Sequence, residues 1–161
     1  MGVKVRVKVT EKQDTQFIRM IEEHQKMLKK PFVDVGVLGG THEGDGEVIS
    51  NIALARIHEY GTETIPERSF IRSTLFEQRP AIIELIKILK HDIYTGKTTV
   101  EKALGEIGLQ VQTLIRGKIN DGDSTWEPLK PSTIARKGSD KPLIDTGQLL
   151  KSIVFKVMMK K

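Results

Sequence analysis

The chain has no cysteine among its 161 residues. Disulfide bridges, thiolate zinc sites and thiol nucleophiles are therefore excluded. A chain of this length can bury a sufficient apolar core without such crosslinks, and we predict one domain spanning residues 1–161. The lack of cysteine also fits a protein made in a reducing cytoplasm.

Long apolar segments and aromatic residues are scarce as well. No segment has the length of a transmembrane helix, and the first six residues alternate valine with charge instead of forming the apolar centre of a signal peptide. We therefore predict no membrane association. Five Phe, two Tyr and one Trp are too few near the basic termini to form a base-stacking surface, so nucleic acid is not the expected main partner.

The net charge is +5, and much of it lies near the two ends of the chain. The basic residues there are Lys4, Arg6, Lys8, Lys156, Lys160 and Lys161. Residues 3–9 alternate valine with a cation, which predicts a strand with one apolar and one basic face. Such a face attracts phosphates or an acidic protein surface, and a DNA-contacting protein that uses it is the alternative function.

The periodicity of apolar residues predicts an α+β fold, with a small antiparallel or mixed sheet packed against several helices. Strands are expected at 3–9, 32–38 and 153–159, with the last pairing with the first. Helices are expected from Asp14 to about Lys30, up to Tyr60 with Gly61 as the C-terminal cap, and on both sides of residue 96. Proline at position 80 predicts the first turn of one of them.

The sequence also predicts the buried face of the first helix, two helix caps and a loop. The first helix is expected to turn one set of residues inward: Phe17, Met20, Ile21, His24, Met27 and Leu28. Thr98 and Glu101 have the spacing of a capping box, and Asp145 or Thr146 is expected to cap a short helix that starts near Gly147. The glycine-rich polar segment 39–46 is expected to be a mobile loop.

No segment has the residues of a recognised catalytic or metal site. His58-Glu59 lacks the second histidine of a zinc-protease helix, because position 62 is Thr62. The segment 38–46 lacks the Gly-Lys-Ser/Thr of a phosphate loop, and 121–132 lacks the glycine and glutamate of a calcium loop. We therefore predict neither an enzyme nor a metal or cofactor site; an unrecognised hydrolase is the open alternative.

Two segments are less ordinary. In the first, residues 55–72, a helix ends at a glycine and a loop stiffened by Pro66 leads into Phe70. A stiff loop is suited to docking, with Arg68 and Arg72 as charged contacts; a plain helix connection with Phe70 in the core is the alternative. In the second, residues 126–153, Trp126 anchors an irregular loop, and purely local structure is the alternative.

Together these segments resemble the virion-morphogenesis and tail-completion proteins of tailed bacteriophages. That family has a helix ending in H-E-[FY]-G followed by I-P-x-R-x-F-[IL], then W-x-P-L-x-x-x-T, K-G and P-L-[IL]-D-T-G-x-L-x-x-S-I. The matching residues here are His58, Glu59, Tyr60, Gly61, Ile65, Pro66, Arg68, Phe70, Ile71, Trp126, Pro128, Leu129, Thr133, Lys137, Gly138, Pro142, Leu143, Ile144, Asp145, Thr146, Gly147, Leu149, Ser152 and Ile153.

The resemblance implies a non-enzymatic structural protein of the phage neck or tail end. It would be made in the host bacterial cytoplasm, incorporated in the virion as a homo-oligomer, and would contact other neck, connector or tail proteins. The residues expected at those interfaces are Tyr60, Gly61, Ile65, Pro66, Arg68, Phe70, Arg72, Trp126, Asp145, Thr146 and Gly147. The resemblance does not distinguish the head side of the joint from the tail side.

Overall fold

The computed structural model describes residues 11–44 and 47–159. Within them the elements in chain order are α1 (Glu11–Leu28), β1 (Phe32–Val37), β2 (Thr41–Gly44), β3 (Glu47–Ser50), α2 (Asn51–Tyr60), α3 (Arg72–Glu77), α4 (Arg79–Tyr94), α5 (Val100–Asp121), α6 (Pro131–Lys137), α7 (Gln148–Ser152) and β4 (Ile153–Met158). The α+β prediction is confirmed, and the sheets are antiparallel.

The main sheet pairs β1 with β4, two segments that are far apart in sequence. Phe32 lies opposite Met158 and Val37 lies opposite Ile153. Both strands were expected from their alternating apolar residues. Within the described part of the chain, the closing strand therefore pairs with β1; the expected first strand, 3–9, lies outside that part.

Helix α5 packs across this sheet and approaches it closely at Gly108. A Cβ atom at this position would lie 2.6 Å from Cδ2 of Phe155 and 2.9 Å from Cγ2 of Val33. Glycine weakens a helix interior by about 1 kcal/mol relative to alanine. The close contact between helix and sheet explains why this position nevertheless carries no side chain.

The largest part of the core lies along the second half of α5. Four side chains there are fully buried: Phe70, Ile115, Ile119 and Ile153. Trp126 and Leu149 belong to the same cluster, so the segments around residues 70, 126 and 150 are held by one body of apolar contacts. Full burial of each large apolar side chain contributes about 1.5–3 kcal/mol.

The expectation of a loop at 39–46 is wrong for residues 41–44. Residues 41–44 form β2, which pairs with β3 so that Thr41 lies opposite Ser50. Polar strands of this kind lack the apolar alternation by which a strand is predicted, since their pairing depends on backbone hydrogen bonds. Residues 45 and 46 lie outside the described part.

The inward face predicted for α1 is also wrong in part. Ile21 and Leu28 are 43% and 70% exposed, and His24 is exposed too, whereas Glu23 is only 3% exposed. Apolar periodicity misses this because it assigns burial to apolar residues alone. A carboxylate can be buried when hydrogen-bond donors meet it.

Two helix caps differ from the predicted ones. The N-cap of α5 is Thr99, whose Oγ1 accepts a hydrogen bond from the Lys102 backbone N–H at 3.3 Å, so Thr98 is not the cap. At α7 the N-cap is Gly147, and Thr146 accepts only a long 3.4 Å hydrogen bond from Gln148. Across the described ranges, no helix combines the length and apolar character needed to cross a bilayer.

Candidate interaction site

The end of α2 turns sharply into the 61–70 loop. Ser50 caps the start of this helix by accepting from the Ala53 N–H at 3.1 Å. At its end Gly61 has a φ of +71°, and its N–H donates to Ile57 O at 2.8 Å. A Cβ atom on Gly61 would lie 2.9 Å from the Glu67 backbone nitrogen, so both the backbone angle and the available space require glycine.

Hydrogen bonds within the 61–70 loop tie it to itself and to α2. The Thr62 N–H donates to Ile65 O at 2.8 Å, and Thr62 Oγ1 accepts from the Ile65 N–H at 3.0 Å. The Arg68 N–H donates to His58 O at 2.8 Å. The outermost residues, 62–64, are exposed, so the loop presents a short tip on a fixed base.

Glu59 fastens the far end of this loop. Its carboxylate is 4% exposed and accepts from the backbone N–H groups of Phe70, Ile71 and Arg72 at 2.8–2.9 Å, and from Ser69 Oγ at 2.7 Å. These N–H groups lie at the start of α3 and just before it, where no partner is available within the helix. Glu59 thus caps α3 from another helix.

The charge of Glu59 is stabilised despite its burial. Burial by itself raises the pKa of this carboxyl, but the hydrogen bonds from Ile71, Arg72, Ser69 and Phe70 outweigh that effect and hold the pKa below its usual value. Glu59 is therefore ionised at neutral pH.

Arg72 completes the arrangement. Its Nε donates to the Glu59 carboxylate at 3.1 Å, and its Nη2 donates to Glu59 O at 2.8 Å and to the Glu67 carboxylate at 2.6 Å. The guanidinium also lies 4.4 Å from the ring centroid of Tyr60, a cation–π contact. Arg72 thus makes four contacts within the chain: three hydrogen bonds and one cation–π contact.

Arg68 connects the loop to the second segment, residues 126–153. It is 5% exposed, and its Nη2 donates to Glu127 O at 2.9 Å. Its Nε is buried without a hydrogen-bond partner in the described residues. Burial lowers the pKa of Arg68, opposed by the nearby charge of Glu127, although an arginine remains protonated in either case.

Arg68 also lines a cavity of about 180 Å³ where the two segments meet. The apolar part of its wall comes from Leu54, Leu129, Leu143 and Leu149. The polar part comes from His58, Arg68, Thr133, Arg136, Lys137, Asp145, Thr146 and Gln148. We call this space the Arg68 cavity.

Positive charge predominates around the Arg68 cavity. Burial lowers the pKa of Lys137, Asp145 opposes that shift, and the like charges of Arg68 and Arg136 lower the pKa further. Three cations therefore share this space with a single lining carboxylate. Lys137 Nζ donates to Lys141 O at 2.8 Å, which holds the ammonium in place.

The predicted interface residues divide by exposure. Tyr60, Arg72, Asp145 and Thr146 are exposed, and four others are partly buried: Gly61, Ile65, Pro66 and Gly147. Arg68, Phe70 and Trp126 are buried, so they contribute little to the outer surface. The structure brings Arg68, Asp145, Thr146 and Gly147 together around one cavity, whereas Tyr60 and Arg72 form a separate contact.

Sequence reasoning did not place Glu59, Arg136 or Lys137 in the candidate site. One signal for Glu59 was present, since a carboxylate in the last turn of a helix meets the negative end of the helix dipole unfavourably. Such a residue is expected to have a partner elsewhere. The cations of α6 were not placed there because the helix itself was not predicted.

No protein-family model matches the chain, and neither the curated proteins nor the solved structures include a significant match. Within residues 11–44 and 47–159, no three His, Asp or Glu side chains are grouped as metal ligands would be.

Proposed function

We propose that this chain is a structural protein of bacteriophage morphogenesis that acts in tail completion or head–tail joining. It would work in the virion as several copies in contact with neck, connector or tail proteins. The observation that supports this is the meeting of the two segments that carry the family resemblance. They are joined by the hydrogen bond from Arg68 to Glu127 and share the Arg68 cavity.

The build of the 61–70 loop suits such a role. Binding through a flexible loop costs conformational entropy, whereas a loop already fixed by its own hydrogen bonds loses little on association. Here Glu59 and Gly61 fix the two ends, and the exposed tip 62–64 is free of the core. A tip on a fixed base is a suitable contact for a neighbouring subunit.

The decisive experiment is electron microscopy of lysates from a phage or prophage in which this gene is deleted. We expect filled heads beside unattached or irregular tails, and the more defective partner would show which side of the joint the protein serves. Intact, infectious virions at normal yield would contradict the proposal.

Complementation with loop variants then tests the contact surface. Glu63→Lys reverses a charge at the exposed tip, and we expect it to lower particle yield at least about tenfold while the isolated protein remains folded, since like charges facing a partner cost several kcal/mol. Glu106→Lys is the matched control, because Glu106 is an exposed acid of α5. Equal yields from the two variants would show that the tip is not the contact.

A further inference from the structure

The Arg68 cavity combines apolar walls with a positively charged lining. A cavity of about 10–15 Å³ already holds one water molecule, so a space of about 180 Å³ accommodates a group several atoms long. Four leucine side chains form the apolar wall. The matching ligand has an aliphatic part as well as a charge.

The cationic residues that line the cavity indicate that the ligand is negatively charged. Arg68, Arg136 and Lys137 all line the cavity, and the only carboxylate among the lining residues is that of Asp145. Arg68 is buried and Lys137 is partly buried, and like charges placed together in this way are unfavourable unless an anion lies near them. The cavity therefore favours a negatively charged guest.

The hydrogen-bonding groups of Arg68 further limit which kind of anion fits the cavity. The Nε–H of Arg68 is buried and unpaired in the described residues, which costs about 1–3 kcal/mol for a polar group and more for a charged one. Solvent does not reach Nε, so a guest in the cavity meets the Nη groups of the guanidinium, and two of their N–H groups can donate to the two oxygens of one carboxylate. The other hydrogen of Nη2 keeps the bond to Glu127 O.

We propose that the Arg68 cavity binds the side-chain carboxylate of a glutamate presented by a neighbouring protein. The two methylene groups of that side chain would pack on the leucine wall, and the carboxylate would meet Arg68 and Lys137. A duplex phosphate, carried on a broad hydrated backbone, lacks such a stem. The identity of the partner rests on the proposed function, whereas the carboxylate site is a property of this chain alone.

The test is a titration of the purified full chain followed by NMR of the arginine Nε–H and backbone N–H resonances. The probes are N-acetyl-glutamate N′-methylamide, its glutamine counterpart as the neutral isostere, N-acetyl-leucine and inorganic phosphate. We expect weak, saturable shifts at Arg68 and around the cavity with the glutamate probe alone. Equal shifts from the glutamine probe would overturn the proposal, and so would tighter binding of N-acetyl-leucine or phosphate.

Substitutions of the charged lining residues provide a second test, because two of them should change the affinity for the glutamate probe in opposite directions. Removing one cation in Lys137→Ala should weaken the glutamate probe about fivefold, and removing the competing carboxylate in Asp145→Asn should tighten it about threefold, as Coulomb interactions in a partly buried site require. Lys102→Ala, at an exposed lysine of α5, is the control and should change nothing. If Asp145→Asn leaves the affinity unchanged or weaker, the proposal fails.

Failure of this proposal can be told apart from failure of the proposed function. If the glutamate probe binds but the deleted phage assembles normally, the carboxylate site stands and the morphogenesis role does not. If assembly fails without the gene but the probe does not bind, the morphogenesis role stands and this site does not.

Discussion

Two buried glutamates do the same task in different regions of the molecule. Glu59 of α2 caps the start of α3, and Glu23 of α1 caps the start of α5 by accepting from the Val100 N–H at 2.7 Å. Both side chains are almost completely buried. Each one satisfies helix N–H groups that have no partner within their own helix.

The two differ in the number and origin of their donors. Glu59 accepts from three consecutive backbone N–H groups, a serine hydroxyl and Arg72, all 10–13 residues away in sequence. Glu23 accepts one backbone N–H from 77 residues away and a 2.6 Å bond from the half-exposed Lys26. The comparison shows that Glu59 holds the 61–70 loop by several local bonds, whereas Glu23 links α1 to α5 by one long-range bond.

The largest effect should come from Glu59→Gln. The substitution replaces one carboxylate oxygen by an NH2 group, which is a donor and faces other donors, and it also removes the charge. Together these changes should lower the free energy of unfolding by about 3 kcal/mol. Urea denaturation measures this loss. Glu67→Gln is the control, because the exposed Glu67 bonds only Arg72 among the described residues, and it should cost less than about 0.5 kcal/mol. A loss below about 1 kcal/mol for Glu59→Gln would remove the distinction between the two glutamates.

Gly61→Ala should have the next largest effect in the Glu59 region. The positive φ and the 2.9 Å approach to the Glu67 nitrogen oppose a side chain, and we expect a loss of about 2 kcal/mol. Gly105→Ala in α5 meets no neighbouring atom and should stabilise the protein by about 0.5–1 kcal/mol. Thermal unfolding of both variants gives the comparison, and equal signs would contradict the assigned role of Gly61.

Glu23→Gln should cost less, about 1 kcal/mol, since the amide oxygen still accepts from Val100 and only the bond with the half-exposed Lys26 is lost. Amide hydrogen exchange at Val100 should quicken more than exchange at Ile71. Glu22→Gln, at the exposed neighbouring position, is the control and should leave both unchanged. A loss as large as that of Glu59→Gln would mean that donor number does not matter.

The smallest expected effect is the change with pH in the stability difference between wild type and Glu59→Gln. Burial raises the pKa of Glu23, but bonds from Lys26 and Val100 bring it below the ordinary 4.5, as for Glu59. A depressed carboxyl pKa contributes stability above the unfolded-state pKa, and that stability is lost as pH falls through the folded pKa. The stability difference between wild type and Glu59→Gln should therefore shrink below about pH 4.5. A difference that stays constant down to pH 3 would show that charge is not involved.

Asp123 does not interfere with that comparison. The bond from Lys118 and those from Thr125 lower its pKa from 3.8 to about 2. It contributes acid-sensitive stability of the same sign as the glutamates. Because wild type and variant both contain it, its contribution cancels in their difference.

Elements with strong apolar periodicity were predictable from the sequence. Strands β1 and β4, helix α2 with Gly61 at its end, and the start of α4 near Pro80 all follow the spacing of their apolar residues or their breakers. Helix α6 was missed although Pro131 begins it and Gly138 ends it with a left-handed φ of +68°. Those two residues are the usual signals of a helix start and end, but a helix of 7 residues is too short to show a period.

The two segments that form the candidate site were predictable from the sequence, but their contact with each other was not. The 61–70 loop and the segment 126–153 each stood out by sequence, and both contribute residues to the Arg68 cavity. They meet through the shared apolar core and the bond from Arg68 to Glu127, which spans 59 residues. Glu23 was missed for the same reason, because a hydrogen bond between distant segments leaves no period in the sequence.

The close approach at Gly108 has a consequence for evolution. No side chain fits there while Phe155 and Val33 keep their places, so the position is closed to substitution on its own. Any related chain that gains bulk at 108 has to lose it at 155 or 33. We therefore expect paired exchange at these positions to identify distant relatives, even where the overall sequence has diverged beyond recognition.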